Sequence, residues 1–253
     1  MDKDDRERFC LIAKSSRYTK KLMQAREAII KAIEISKKPA ISFSFGKDSL
    51  VCLDIARQIK PDILVINIDR GRGGDTEEAV GMYADYAKQY GLNYHRVKTP
   101  REVLQIYREA GSIYNVQRKE IKANLIAGTK TARKTFAIDC EILGLRTEES
   151  NERQWLHKYG TLHYSESEKR YKCNPVLNWK GEEIWAYIIS REVPYLSWYD
   201  HEAEQMGYEW ARYSNWAGIG SYVTYGRIAH LKKNEPELFL ELAKEFPEIR
   251  AFI

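Results

Sequence analysis

The sequence predicts an α/β protein built on a doubly wound parallel sheet, followed by an aromatic, helical extension. Short apolar runs of strand length alternate along the chain with longer segments whose apolar residues recur at helical spacing. The run at residues 63–68 is almost continuously apolar, which is typical of a strand covered on both faces. From about residue 172 the composition changes, and aromatic residues crowd the segment 195–225.

The elements follow one another at the spacing of such a sheet. Apolar positions predict a first helix over residues 20–37, which Pro39 ends. A strand at 40–44 follows, and the next helix continues up to Pro61. The later predictions are, in chain order, a strand at 63–68, a helix from Asp75 to Gly91, a strand at 93–97, helices at 101–109 and 117–132, a strand at 136–145, a helix around 184–189 and a helix at 236–245.

Composition narrows the class of protein. The hydrophobic content of 43% and the charged content of 30% are typical of a globular protein. The net charge of +5 is a mild basic excess, which favours the binding of phosphorylated small molecules. The first residues are too charged for a signal peptide, and no apolar run approaches the roughly 20 residues that span a membrane. We therefore expect a cytoplasmic protein that is not held in a membrane.

The cysteines and histidines do not form a metal-binding pattern. Cys10, Cys52, Cys140 and Cys173 lie far apart, without a C-x-x-C pair, which argues against an iron–sulfur cluster, structural zinc or a disulfide framework. The five histidines are scattered. We expect reduced thiols and assign no metal-ligating residues.

The segment from Ile41 to Leu50 joins a strand to a helix through the turn Ser-x-Gly-Lys-Asp-Ser. Backbone N–H groups, hydroxyls, a lysine and a helix N-terminus converge on an anion in such a turn. The ordinary P-loop pattern does not fit, because Ile41 replaces its glycine and Asp48 follows Lys47. The turn therefore predicts a phosphate site whose nucleotide-binding candidates are Ser42, Ser44, Phe45, Gly46 and Ser49.

Two further segments fall at the carboxyl ends of predicted strands. Asp69 begins a glycine-rich loop after the strand at 63–68, and Gly144-Leu145-Arg146 ends the strand at 136–145. Ligands of doubly wound sheets bind beyond the carboxyl ends of the strands. We therefore expect the turn, Asp69 and Arg146 to face one cleft.

The turn resembles the PP-loop of the ATP pyrophosphatases, the adenine nucleotide alpha-hydrolase group that cleaves ATP to AMP and pyrophosphate. Within this group the chain is similar to the branch of phosphoadenosine phosphosulfate (PAPS) reductase and the ATP sulfurylase small subunit. The matching residues are Asp69 with Asp75-Thr76, Gly144-Leu145-Arg146 with Arg153, Pro175, Trp179, Ile184, Trp185, Tyr187 and Ile188, and then Pro194-Tyr195 and Tyr199-Asp200. The resemblance implies a Rossmann-like fold.

The polar residues 1–18 and the change of composition near residue 172 set the expected domain boundaries, and the resemblance implies the cofactors. We expect a flexible segment at 1–18, a PP-loop nucleotide-binding domain at 19–171 and an extension at 172–253 that packs on the sheet. The implied cofactors are ATP and Mg²⁺. Lys47, Asp48 and Arg146 are the catalytic candidates, since a lysine with magnesium stabilises charge on leaving pyrophosphate.

The remaining candidates keep two interpretations each. Gly144 is a further phosphate-binding candidate. Arg146 and Arg153 would be oxyanion clamps, which the planar guanidinium suits, or they pair with Glu148, Glu149 or Glu152. Asp69 would bind a ribose hydroxyl or the metal, or it caps its own loop.

One departure from the family decides between nucleotides. The reductases use a nucleophilic cysteine near the C-terminus, and no cysteine follows Cys173. The Gly-Lys-Asp-Ser sequence is intact, as in the ATP-cleaving members. We therefore expect Mg-ATP cleavage that adenylates an acceptor, either sulfate or a sulfur-transfer substrate. The alternatives are a PAPS reductase-type sulfonucleotide enzyme and a non-catalytic nucleotide-binding module that acts with a protein partner.

The expected partners follow from these hypotheses. They are a nucleotide and a small anionic acceptor, with a protein partner subunit as a further candidate, in a homo-oligomer. Six positive charges over 118–134 and the aromatic residues of 195–225 would suit nucleic acid. A solvated helix face and ordinary aromatic packing are favoured over that interpretation.

Overall fold

The computed structural model describes residues 1–213, 228–229, 231–233 and 236–252. The helices are α1 (Lys3–Ala13), α2 (Ser16–Glu34), α3 (Lys47–Ile59), α4 (Glu77–Gln89), α5 (Val103–Ala110), α6 (Arg118–Thr135), α7 (Asn151–Gln154), α8 (Gly181–Ser190), α9 (Trp198–Met206) and α10 (Pro236–Glu245). The strands are β1 (Pro39–Ser42), β2 (Leu64–Asp69), β3 (Asn93–Lys98), β4 (Cys140–Leu143), β5 (Leu162–Ser165) and β6 (Arg170–Cys173). Short 3₁₀ helices cover Thr147–Glu149, Trp155–Tyr159 and Pro247–Phe252.

The strands form one six-stranded sheet in the order β3-β2-β1-β4-β6-β5, with helices on both faces. β1 pairs in parallel with β2 on one side and β4 on the other, and β4 pairs in parallel with β6. This confirms the predicted Rossmann-like α/β fold, although the sheet is mixed because β5 runs antiparallel to β6. The order changes direction beside β1, which makes the β1–β4 edge the topological switch point.

Contacts divide the chain into two compact units. The first comprises Met1–Asn67, Gly81–Arg96 and Ala132–Tyr213, and the second comprises Ile68–Val80, Val97–Thr131 and Ser214–Ile253. Strand β6 contains both residue 171 and residue 172, between which the sequence predicted a boundary between two domains. None of the described helices has the length and apolar character to cross a membrane.

The first unit contains helix α1 where the sequence predicted a flexible segment at 1–18. Asp2 caps the helix by accepting a hydrogen bond from the Asp5 backbone N–H at 2.8 Å. Phe9 is fully buried and lies 6.2 Å from the ring of Trp185 in α8. The apolar residues of α1 form one consecutive run at its end, Phe9–Ala13, instead of recurring at helical spacing, which is why the pattern did not indicate this helix.

Other elements differ from the sequence predictions. The strand predicted at 136–145 is shorter, because α6 extends to Thr135 and Ala137 adopts a left-handed backbone with φ 52°. The β5–β6 hairpin and α9 were not predicted. Of the C-terminal aromatic residues, Trp216, Tyr222 and Tyr225 lie outside the described residues.

The second unit has an apolar core of its own. α5 contributes buried residues to it, and so does α10. Arg108 of α5 donates a hydrogen bond from Nη2 to Glu245 Oε2 at 2.9 Å. Members of this core include Leu104, Ile106, Tyr107, Ile228, Leu231, Phe239 and Leu242.

Candidate functional site

The connection from β1 to α3 carries an unusual backbone. Phe45 has φ 63°, whereas Gly46 has φ −75° and forms the N-cap of α3. A left-handed backbone costs a bulky residue about 1–2 kcal/mol. Buried packing holds Phe45 there, since its ring stacks on Tyr83 at 5.2 Å and meets Phe43 edge-on at 5.4 Å. The left-handed residue of this turn is therefore Phe45 and not Gly46.

Two serines organise the turn. Ser49 is buried, and its Oγ donates to the Gly46 carbonyl at 2.9 Å and accepts from the Ser44 backbone N–H at 3.2 Å. The Ser44 and Ser49 hydroxyl oxygens lie 3.1 Å apart, and Ser44 is exposed. Ser42 lies at the end of β1, in register with Ile66 of β2 and Leu143 of β4. Ser49 thus holds the turn together through its hydrogen bonds, and the Ser44 side chain is exposed to solvent.

Lys47 is buried at the first position of α3, with 1% of its surface exposed. Its Nζ donates to the Ala211 carbonyl at 2.5 Å and lies 3.8 Å from Asp48 Oδ2. Its backbone N–H donates to the Tyr199 hydroxyl at 2.7 Å. Burial lowers the pKa of Lys47, and the charge of Asp48 opposes that shift. The site thus holds a desolvated ammonium group at a helix N-terminus.

Asp48 and Arg146 form a buried ion pair across 98 positions of sequence. Arg146 donates from Nε to Asp48 Oδ1 and from Nη1 to Glu148 Oε2 at 2.7 Å. Burial raises the pKa of Asp48, but the charges of Lys47 and Arg146 outweigh it and hold that pKa below its ordinary value. Asp48 is therefore ionised at neutral pH.

Gly144 explains how β4 brings Arg146 to Asp48. A Cβ atom at Gly144 would lie 2.4 Å from the Ser49 backbone nitrogen and 2.5 Å from the Asp48 carbonyl carbon. Only glycine lets the end of β4 touch the first turn of α3 at this distance. Gly144 therefore permits the close packing of β4 against α3, and its predicted part in phosphate binding stays a prediction.

Two arginines extend the positive charge. The Arg153 guanidinium pairs with Glu149, which was the sequence-based alternative to an oxyanion clamp. Arg212 donates from Nη2 to the Glu149 backbone carbonyl. Burial lowers the pKa of Arg153, and the charge of Arg212 lowers it further, so these cations crowd one another.

Segment 198–213 contributes residues that the sequence did not place at the site. Tyr199, Ala211 and Arg212 reach the turn or its neighbours, and Trp198 Nε1 donates to the Arg212 carbonyl at 3.1 Å. The Tyr199-Asp200 match and the aromatic density were the available signals. Neither indicated that this segment contacts Lys47.

Asp69 belongs to the second unit and is described there. Its Oδ1 accepts from the Gly71 backbone N–H at 3.0 Å, and its carbonyl accepts from the Thr99 N–H at 2.9 Å. These bonds cap its own loop, as one of the two sequence interpretations expected.

The charges of the first unit's site favour an anion. Four cationic side chains face three carboxylates and the N-terminus of α3, and the guanidinium groups can bind two oxygens of a phosphate or sulfate at once. Among the described residues, no cluster of three or more His, Cys, Asp or Glu could hold a metal ion. The charged residues are Lys47, Arg146, Arg153 and Arg212 with Asp48, Glu148 and Glu149.

Comparison with protein families and curated proteins gives the following matches. Residues 38–224 match the family model described as phosphoadenosine phosphosulfate reductase domain. An uncharacterized protein of Methanocaldococcus jannaschii is 29% identical over 178 residues, which cover 66% of this chain and 39% of that protein. Adenosine 5'-phosphosulfate reductase of Staphylococcus epidermidis is 26% identical over 171 residues, 66% of this chain and 67% of the relative.

Solved structures share the fold. PAPS reductase from Candida auris, as a phosphate complex, superposes with a TM-score of 0.58 at 20% identity, covering 70% of this chain and 84% of that one. Candida glabrata FMN adenylyltransferase, in complex with FMN and an ATP analog, has a TM-score of 0.53 at 14% identity, covering 79% and 70%.

Proposed function

The chain belongs to the phosphoadenosine phosphosulfate reductase family of the PP-loop superfamily, and from that premise we propose that it binds Mg-ATP and adenylates an acceptor. ATP would be cleaved between its α- and β-phosphates. The acceptor oxygen attacks the α-phosphorus, the α–β phosphoanhydride bond breaks, and pyrophosphate leaves.

The observation that carries this proposal is the buried Lys47 ammonium at the N-terminus of α3. A phosphate oxygen can replace the Ala211 carbonyl as its partner, because both are hydrogen-bond acceptors and the phosphate also brings negative charge. In water-poor surroundings that charge attraction is strengthened. A lysine in this position stabilises the charge that develops on leaving pyrophosphate.

Arg146 and Asp48 act beside Lys47. Asp48 keeps Arg146 and Lys47 in place, and the Arg146 guanidinium supplies donors for the α-phosphate or the acceptor. The Asp48 carboxylate is also a hard oxygen donor of the kind that binds Mg²⁺ together with substrate phosphates. Magnesium, when bound, would neutralise phosphate charge.

A reductase activity is the second candidate, favoured by the name of the staphylococcal relative. Such chemistry needs a thiolate. Burial raises the pKa of Cys140 to about 12, and it raises those of Cys52 and Cys173 well above the ordinary value. These three thiols stay protonated at neutral pH, which leaves the partly buried Cys10 of α1 as the remaining candidate thiol. The intact Gly-Lys-Asp-Ser turn supports ATP over a phosphosulfate as the nucleotide.

The proposed function also implies partners for the protein. Sulfate or a sulfur-transfer substrate would accept the adenylyl group, and a protein partner subunit and a homo-oligomer belong to the same proposal. A nucleotide-binding module without turnover is the competing hypothesis. It predicts ATP binding that releases no pyrophosphate with any acceptor.

The test compares wild type with Lys47→Ala and a matched control, Lys60→Ala. Lys60 follows the last residue of α3 and pairs with Asp62 at 2.8 Å, at the opposite end of the helix from Lys47. We expect Lys47→Ala to lower acceptor-dependent pyrophosphate release by about 100- to 1000-fold, with Lys60→Ala near wild type. Equal rates in wild type and Lys47→Ala would contradict the proposal.

A further inference from the structure

Two aromatic side chains of the 3₁₀ helix Trp155–Tyr159, which follows Arg153 in the chain, are exposed. Trp155 has 72% of its surface exposed and Tyr159 has 49%. Tryptophan is usually largely buried, so this exposure needs an explanation. We call Trp155, Lys158, Tyr159 and His163 the aromatic patch.

The aromatic patch combines ring faces with a cation. Lys158 Nζ lies 5.4 Å from the Trp155 ring centroid and 4.8 Å from that of Tyr159. On β5, the His163 ring stacks on Tyr159 at 4.9 Å with an interplanar angle of 23°. Burial and the nearby Lys172 lower the pKa of His163, which keeps this imidazole neutral at pH 7. The strand thus braces Tyr159, whereas Trp155 is turned to solvent.

The patch adjoins cations of the candidate site along the chain. Arg153, two positions before Trp155, is held by Glu149, whose backbone carbonyl also binds Arg212. Along the chain, a cation that can neutralise phosphates, Arg153, is therefore followed two positions later by a ring that can stack on bases, that of Trp155. This combination is how proteins bind single-stranded nucleic acid.

We propose that the aromatic patch binds the bases of a single-stranded nucleic acid whose backbone phosphates lie toward Arg153. That this strand is the acceptor of the adenylyl group is a second step, which rests on the proposed function. The occupant is inferred from charge complementarity, since Lys158 lies over both rings and a phosphate backbone would supply its counter-charge. An apolar protein surface would leave Lys158 without a counter-charge.

The experiment measures fluorescence anisotropy of labelled 20-nucleotide single-stranded DNA and RNA and of the matching duplex, at low salt. We expect Trp155→Ala to raise the Kd for a single strand by roughly fivefold or more, because it removes a stacking face, and Tyr159→Ala to raise it less, because His163 already covers one face of that ring. The matched control is Tyr114→Ala, at an aromatic residue of the second unit with 46% exposure, and it should leave the Kd unchanged.

A second pair of variants tests the cation. Lys158→Ala should weaken binding and reduce its salt dependence, whereas Lys3→Ala, at a lysine 86% exposed on α1, should do neither. The proposal is overturned if Trp155→Ala binds like wild type or if the duplex binds as tightly as the single strand. It is also overturned if wild type binds neither strand, which would favour a protein as the occupant.

The two proposals fail separately in these samples. ATP binding is measured by titration of the same wild-type protein. If the protein binds the oligonucleotide but does not bind ATP, the proposed function is overturned and the assignment of the aromatic patch stands. If the protein binds ATP and Trp155→Ala leaves the Kd for the oligonucleotide unchanged, only the present inference is overturned.

Discussion

At the scale of single residues, Lys47 matters most because its charge is desolvated before any ligand arrives. The ammonium has a carbonyl partner in Ala211 and a carboxylate at 3.8 Å in Asp48. Burial penalises the charged form, so the protein holds a cation that gains stability from a further anion. A phosphate that enters here supplies that anion.

This leads to a pH prediction. Because burial lowers the pKa of Lys47, the ammonium of the free protein loses its proton below the ordinary value of 10.5. We expect ATP affinity to be constant below the lowered pKa and to fall above it by up to about tenfold per pH unit. Calorimetric titration with ATP between pH 7 and pH 10 measures this.

The control for the pH prediction is Lys47→Ala, which carries no ammonium. Its weaker ATP affinity should lack the alkaline decline. A wild-type profile parallel to that of Lys47→Ala would show that the charge of Lys47 does not hold the nucleotide.

At the scale of elements, the contact between β4 and α3 positions the site. Gly144 allows it, since a Cβ there would lie 2.4 Å from the Ser49 nitrogen. We expect Gly144→Ala to lower the free energy of unfolding by about 1–3 kcal/mol, because backbone must move. Urea unfolding measures the change.

Gly81 is the matched control for that substitution. It lies inside α4, and a Cβ there would meet nothing within 4 Å. Gly81→Ala should raise the free energy of unfolding by up to about 1 kcal/mol, through lower backbone entropy in the unfolded chain. Effects of the same sign in both variants would refute the tight β4–α3 contact.

Helix α1 offers a second test at this scale. Phe9 is fully buried against Trp185, whereas Leu11 on the same helix is 66% exposed. Phe9→Ala should destabilise the protein by about 3–5 kcal/mol, and Leu11→Ala by less than about 0.5 kcal/mol. Similar urea midpoints for the two variants would mean that α1 is not docked.

At the scale of the whole molecule, the sequence predicted strands β1 to β4 but not β6, which pairs in parallel with β4. β1 and β2 were indicated by apolar runs, since strands covered on both faces need them. The β5–β6 hairpin was missed because each strand is only four residues long and Cys173 is its only buried residue, so its apolar–polar alternation is too short to stand out. Its place in the sheet depends on pairing between β6 and β4, which no local pattern shows.

The residues of the candidate site likewise fall into those that the sequence predicted and those that it did not. Lys47, Asp48 and Arg146 were predicted because a local motif carries each, and the structure joins them in one buried network. Tyr199 and Arg212 were not, because their roles arise from contacts with residues far away in sequence. Phe45 shows the limit within a motif, since its strained backbone is held by packing on Tyr83.

The most direct single measurement follows ATP labelled at its α-phosphorus, incubated with magnesium, the protein and candidate acceptors, single-stranded nucleic acid and sulfate among them. Cleavage at the α-phosphate predicts label in AMP or in an adenylated acceptor, with pyrophosphate released in equal amount and lost in Lys47→Ala. Label recovered as ADP, or as intact ATP with every acceptor, would contradict the proposed chemistry.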